Sequence, residues 1–153
     1  MINIFLIKLI KEVTILSNTG VPIFCHNFCE EIDDRHNYQL ISSYFYQINQ
    51  FAKYGFKENI NTLKMDKCVF YFYTDTLSKY QLIIKCDRKM DNKRSRKKMV
   101  DLLAHQIFSK FFSRFEKDLL NFNGNITPFK KFSEDIENII PKSMISRPIQ
   151  TSQ

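Results

Sequence analysis

Cys68–Asp87, CVFYFYTDTLSKYQLIIKCD, reads as two strands joined by a turn near Thr76 to Lys79. Strand side chains alternate with a period of two, so Cys68, Phe70 and Phe72 face one way and Val69, Tyr71 and Tyr73 the other. Both faces are apolar, and neither can be left in water. A strand of this kind belongs inside a sheet covered above and below, so the flanking chain has to supply two helical layers.

Upstream, Ile10 to Ser17 is strand-like, with Val13 and Ile15 alternating against Thr14, and Asn18-Thr19-Gly20 supplies turn chemistry. Val21 to Phe28 returns as a second strand, and Pro22 at its start marks it as an edge, where a missing donor is tolerated. Residues 29–37, CEEIDDRHN, are polar and read as a loop. Between Tyr38 and Tyr54 the period changes: Ile41, Tyr44, Phe45, Ile48, Phe51 and Ala52 fall on one stripe of a helix of about four turns, closed by Gly55. Ile60, Thr62 and Met65 then suggest a short strand that completes a meander with the opening hairpin.

Downstream, Val100, Leu103, Ile107, Phe111, Phe115 and Leu119 mark one long helix over 99–122, widened by Ala104, Phe108 and Phe112. These aromatic residues are most simply core; they exceed what one helix face needs, and any left outside the sheet-facing stripe would form an exposed apolar patch. Gly124 lies past its end. Thr127 and Pro128 fit the cap and first-turn proline of a last helix carrying Phe129, Phe132, Ile136 and Ile139, which Pro141 stops. Lys142 to Gln153 shows no apolar period and is expected to be a flexible tail. The 153 residues suit one domain over 1–141 with the tail at 142–153. The fold class is α+β, a five-stranded antiparallel sheet in the order β-β-α-β-β-β-α-α, with one helix on one face and two on the other.

The net charge of +7 is local. RKMDNKRSRKK, residues 88–98, holds seven of the 23 Lys and Arg residues and one acid, so little excess charge is left elsewhere. Arg88, Lys89, Lys93, Arg94, Arg96, Lys97 and Lys98 are therefore the candidate binding residues, for anionic headgroups or for nucleic-acid phosphates. Aromatic side chains that would stack bases are missing within the run, which favours lipid or an acidic protein over nucleic acid. The plainer reading is a solvated, flexible loop between the last strand and the long helix.

Other chemistry is thin. Cys25, His26 and Cys29, with Cys68 and Cys86 on neighbouring strands, are the nearest approach to a zinc set, but Cys25 and His26 are adjacent in a strand and point to opposite faces. Buried reduced thiols are the simpler account. Cys29 with His36, or Cys25 with His105, lacks an activating motif, and there is no phosphate-binding glycine loop or nucleophile elbow. Glu30, Glu31, Asp33 and Asp34 lack the alternating ligands of a calcium loop. No catalytic residue, metal or cofactor is expected. MINIFLIKLI lacks a basic leader and a cleavage site and is broken by Lys8, so a cytoplasmic protein is expected, in peripheral contact with a membrane at most.

The element order, the hairpin NTGVPIFCHNF at Asn18–Phe28, the meander and the long helix closing with FNGNITPF resemble the longin domain, a profilin-like fold. The likeness spans roughly residues 10 to 140. The related roadblock domain opens with a helix for which residues 1–9 are too short, and it stands second. The resemblance implies a stand-alone, non-enzymatic scaffold that forms a homo- or hetero-dimer and docks a small GTPase, another longin- or roadblock-type subunit, or a membrane-traffic or tethering partner. The alternative is an anionic-surface binder acting through residues 88–98.

Overall fold

Period-two alternation and three-four periodicity partition the chain into a sheet and two covering layers. The computed structural model describes residues 9–28 and 35–146, the side chains of 35–42 excepted. Its strands are β1 (Ile10–Leu16), β2 (Pro22–Asn27), β3 (Thr62–Lys64), β4 (Cys68–Thr74) and β5 (Gln81–Asp87). They form one antiparallel sheet in the order β2-β1-β5-β4-β3. The stretch that opened the reading is the β4–β5 hairpin, with Tyr71 opposite Ile84 and Cys68 opposite Asp87.

Its two faces receive different cover. Helix α1 (Arg35–Phe56) lies over Leu16, Phe70, Phe72 and Ile83, with Phe45 at the centre of that layer. The Phe45 ring meets Phe70 at 4.8 Å and Phe72 at 5.5 Å. On the other face Val13, Ile15, Val69, Tyr71, Leu82 and Ile84 pack under α2 (Arg94–Arg114) and α4 (Phe132–Ile139). Phe111, Phe115, Phe129 and Phe132 form a cluster there with centroid separations of 5.2–5.8 Å. Each such buried side chain contributes roughly 1.5–3 kcal/mol of transfer free energy. The expected sandwich, one helix against two, is the one the chain forms.

Several boundaries differ from the pattern-based reading. Helix α1 starts at Arg35 and runs through Gly55 to Phe56, and the left-handed residue that closes it is Lys57, at φ 56°. Glu58 N–H, just past this residue, donates to Ala52 C=O at 3.2 Å and ties the chain back to the last turns of the helix, regardless of where the glycine falls. The expected single stripe of α1 is split: Phe45 is buried, Ile48 and Ala52 half-buried, Tyr44 and Phe51 point outward. The side chain of Ile41 lies outside the described residues, as does the acidic loop at 29–34.

The long helix begins five residues earlier than expected, inside the basic run, and is interrupted at Phe115 (φ −110°, ψ 22°) before a short α3 (Glu116–Leu120). Its aromatic residues are absorbed. Phe108 and Phe112 stack at 5.5 Å and Tyr80 meets Phe112 at 5.8 Å, so no aromatic patch forms on this helix. Thr127 is not a cap: it lies within a 3-10 turn, Thr127–Lys131, and its N–H donates to Asn125 Oδ1 at 3.1 Å, while Pro128 does occupy the first turn.

The segment after Pro141 does not leave the domain at once. Met144 and Ile145 are buried, Leu9 N–H donates to Met144 C=O at 2.9 Å, and Ser146 N–H donates to Ile10 C=O at 2.8 Å. A segment that needs only two apolar residues shows no period, so the sequence pattern could not flag it. The remainder of the expected tail, 147–153, lies outside the described residues.

Candidate interaction surfaces

The basic run is built into the fold. Asp87 caps a 3-10 turn, Arg88–Asn92, by accepting from Lys89 N–H at 2.9 Å, and α2 starts two residues later. The expected flexible loop is therefore a structured corner. Three of the seven candidate side chains are held internally. Arg88 Nη1 donates to Met65 C=O at 3.0 Å and Arg96 Nη1 to Lys89 C=O at 2.8 Å. Lys97 pairs with Asp101 and sits over the Tyr71 and Tyr73 rings, 5.0 Å and 5.4 Å from their centroids. Lys89, Lys93, Arg94 and Lys98 are exposed.

The corner also gathers residues outside the run. Arg88 N–H donates to Lys67 C=O at 3.1 Å, which brings the β3–β4 turn, Met65-Asp66-Lys67, against it. Lys64 pairs with Asp91 at 2.5 Å. That ammonium is the main reason the Asp91 carboxyl is held below its ordinary range, with the Tyr71 phenol and the Arg88 charge adding to it. Lys64 and Lys67 escaped notice because they lie more than twenty residues upstream. The hairpin register carried the signal, since pairing Cys68 with Asp87 makes Lys67 and Arg88 neighbours.

Beneath the corner, Tyr73 donates to Asp101 Oδ1 at 2.7 Å and Tyr71 to Asp91 Oδ1 at 3.3 Å. Both phenols are pushed well above their ordinary range, chiefly by burial, and next by the carboxylates that would repel a phenolate.

A second surface lies on α1. Tyr44, Phe51, Tyr54 and Phe56 are 61–77% exposed, and Phe51 and Phe56 meet edge to face at 5.7 Å. The aromatic excess foreseen for residues 99–122 thus appears on the other layer. The reason is thickness: the α1 face of the sheet offers four buried residues for cover, too few to occupy both sides of a 22-residue helix rich in aromatics.

The cysteines and histidines do not converge. Cys25 faces Glu12 and Thr14, its Sγ 3.7 Å from Glu12 Oε1, while His26 reaches Glu137 on α4 at 2.9 Å, on the opposite face. Cys86 is buried, which pushes its thiol up, and it points to the α2 side while Cys68 packs on the α1 side. His105 is exposed on α2, across the sheet from Cys25. Among the described residues no group of three or more His, Cys, Asp or Glu is placed to hold a metal ion, and no helix is long and apolar enough to cross a membrane. Cys29 and the His36 side chain lie outside them.

No protein-family model and no curated protein matches this chain. Among solved structures it is similar to a chain from "The Structure of the Mammalian SRP Receptor", with a TM-score of 0.50 at 13% identity, over 89% of this chain and 95% of that one. The fold is longin-like. A Roadblock/LC7 domain from Streptomyces avermitilis (TM-score 0.37, 17% identity, 55% of this chain and 73% of that one) and Myxococcus xanthus MglB (TM-score 0.42, 18% identity, 66% and 85%) are more distant. On a longin-like fold, α1 is the single-helix layer and its outer side is the aromatic surface described above.

Proposed function

We propose that this chain is a non-enzymatic scaffold whose α1 surface pairs with a second longin-like subunit, a further copy of this chain in the simplest case, and that the pair docks a small GTPase or a membrane-traffic partner. The observation that carries the reading is the row of Tyr44, Phe51 and Tyr54 on the outside of α1, with exposed Phe56 at the end of the helix meeting Phe51. Aromatic side chains are enriched in the buried centre of protein interfaces, where a rigid ring removes much area from water at small entropic cost. Three of them on one exposed helix face, with a fourth at the end of the same helix, cost solubility unless a partner covers them. The structural likeness to an SRP receptor chain bears on the fold alone, and the GTPase part of the proposal comes from the longin resemblance.

Light scattering on the purified full chain tests the pairing. A dimer is expected, and the triple variant Phe51→Ser, Tyr54→Ser, Phe56→Ser is expected to be a folded monomer, because none of the three side chains is in the core. A parent protein that stays monomeric at high concentration and captures no small GTPase encoded beside it would sink the proposal.

A further inference from the structure

The start of α2 contradicts its own electrostatics. A helix N-terminus carries roughly half a positive charge, and carboxylates are the residues that stabilise it. Here the N-cap is Lys93, with no side-chain cap, the first turn holds Arg94, Arg96 and Lys97, and it contains no acid. The 3-10 turn before it and the β3–β4 turn add Lys89 and Lys67 to the same corner. Nine cations thus face four carboxylates, Asp66, Asp87, Asp91 and Asp101, and three of these are already paired, with Lys11, Lys64 and Lys97.

Three apolar side chains are exposed on the elements that carry these cations. Met65 is exposed at the tip of the β3–β4 turn, where its carbonyl holds Arg88. Met99 and Leu102 are exposed on α2 beside Lys98, and Arg94, Lys98 and Leu102 follow one another at four-residue spacing on the outer side of the helix. Tyr71 and Tyr73, the nearest aromatics, are held beneath Lys97 and offer no face for base stacking.

We infer that this corner docks on an anionic lipid surface, the exposed cations meeting headgroups while Met65, Met99 and Leu102 enter the headgroup–acyl boundary. Nucleic acid would use the cations and leave the three apolar side chains without a role. A membrane uses both, and its charge compensates the helix terminus that the chain itself leaves uncompensated. The inference is independent of the α1 pairing.

Flotation of the full chain with vesicles tests it. The protein is expected to float with phosphatidylcholine vesicles containing phosphatidylserine, not with phosphatidylcholine alone, and to be released by added salt. The triple variant Lys89→Gln, Arg94→Gln, Lys98→Gln should lower partitioning roughly a hundredfold, at about 1 kcal/mol per charge near the surface. Met65→Ser, Met99→Ser, Leu102→Ser should lower it at least about tenfold at unchanged net charge. All six positions are exposed, so circular dichroism should show the parent fold. Absence of flotation with the anionic vesicles, or parent-like flotation by either triple variant, overturns the inference; so does tight binding to single-stranded RNA with no vesicle binding. The α1 serine variant should float like the parent even if pairing is lost, which separates the two proposals.

Discussion

Tyr73 on β4 donates its phenol to Asp101 on α2 at 2.7 Å, so the sheet and the helix that covers it are joined by a polar contact as well as by packing. Lys97 completes the unit by pairing with Asp101 above the tyrosine rings. Removing only the hydroxyl should isolate the hydrogen bond, because the ring and its contact with the ammonium survive. Tyr73→Phe is expected to cost about 1.5–3 kcal/mol in urea unfolding, the range for a hydrogen bond to a charged group. A loss below a few tenths of a kcal/mol would mean that Lys97 alone satisfies Asp101.

The same tyrosines make stability depend on alkaline pH. Tyr71 and Tyr73 have folded-state pKa values raised above the 10.0 of a free phenol, mainly by burial. The unfolded chain therefore releases protons that the folded one retains, and stability is full below about pH 10 and falls as pH rises beyond it. Each raised phenol adds a slope of up to about 1.4 kcal/mol per pH unit. The Cys86 thiol, also pushed up by burial, contributes in the alkaline range too, so the check is a comparison. The urea midpoint of Tyr71→Phe, Tyr73→Phe should fall less steeply above that pH than the parent's, and equal slopes would refute the assignment.

How far the sequence could be read depended on whether a residue's role was local or arose from packing. Double alternation at 68–73 implied a covered sheet, and the three-four spacing from Val100 to Phe111 implied the helix that covers one side, because those patterns are set by backbone geometry. The outward turn of Phe51 was not readable, since a stripe on paper does not tell how wide a face the sheet can accept. Docking of Met144 and Ile145 beside Ile10 was invisible for a related reason: a pairing across more than a hundred residues leaves no local period. The basic run was located correctly and its state misjudged, because Asp87 as a cap and the lysine-rich first turn of α2 run against ordinary helix-start signals.

Gly20 is required twice over. Its φ is 83°, and a Cβ built on it would lie 2.4 Å from Cγ of Tyr46 on α1, so the β1–β2 turn and the helix meet where no side chain fits. Ser17 holds the turn in place, its Oγ accepting from Val21 N–H at 3.1 Å. Gly20→Ala should lose about 1–2 kcal/mol from the left-handed backbone and more from the contact. In a Tyr46→Ala background only the backbone part should remain. An unchanged loss in that background would show that the ring contact carries none of the cost.

Gly55 and Lys57 offer the reverse test, because each occupies the position the other's chemistry suits. Gly55 sits inside α1 with nothing within 4 Å of where its Cβ would be, so Gly55→Ala should stabilise by about 0.5–1 kcal/mol through helix propensity alone. Lys57 holds φ at 56° in the closing position of the helix, where glycine has no steric penalty, so Lys57→Gly should gain about 1 kcal/mol. A Cβ at Gly55 would meet no neighbouring side chain, so the double variant should approach the sum of the single gains in thermal or urea unfolding. Neither residue lies among the four aromatics of the α1 surface, so pairing in light scattering should be unaffected. If Lys57→Gly destabilised the protein, the left-handed ending that places β3 after the helix would have to be abandoned, and with it the account of why Gly55 does not close α1.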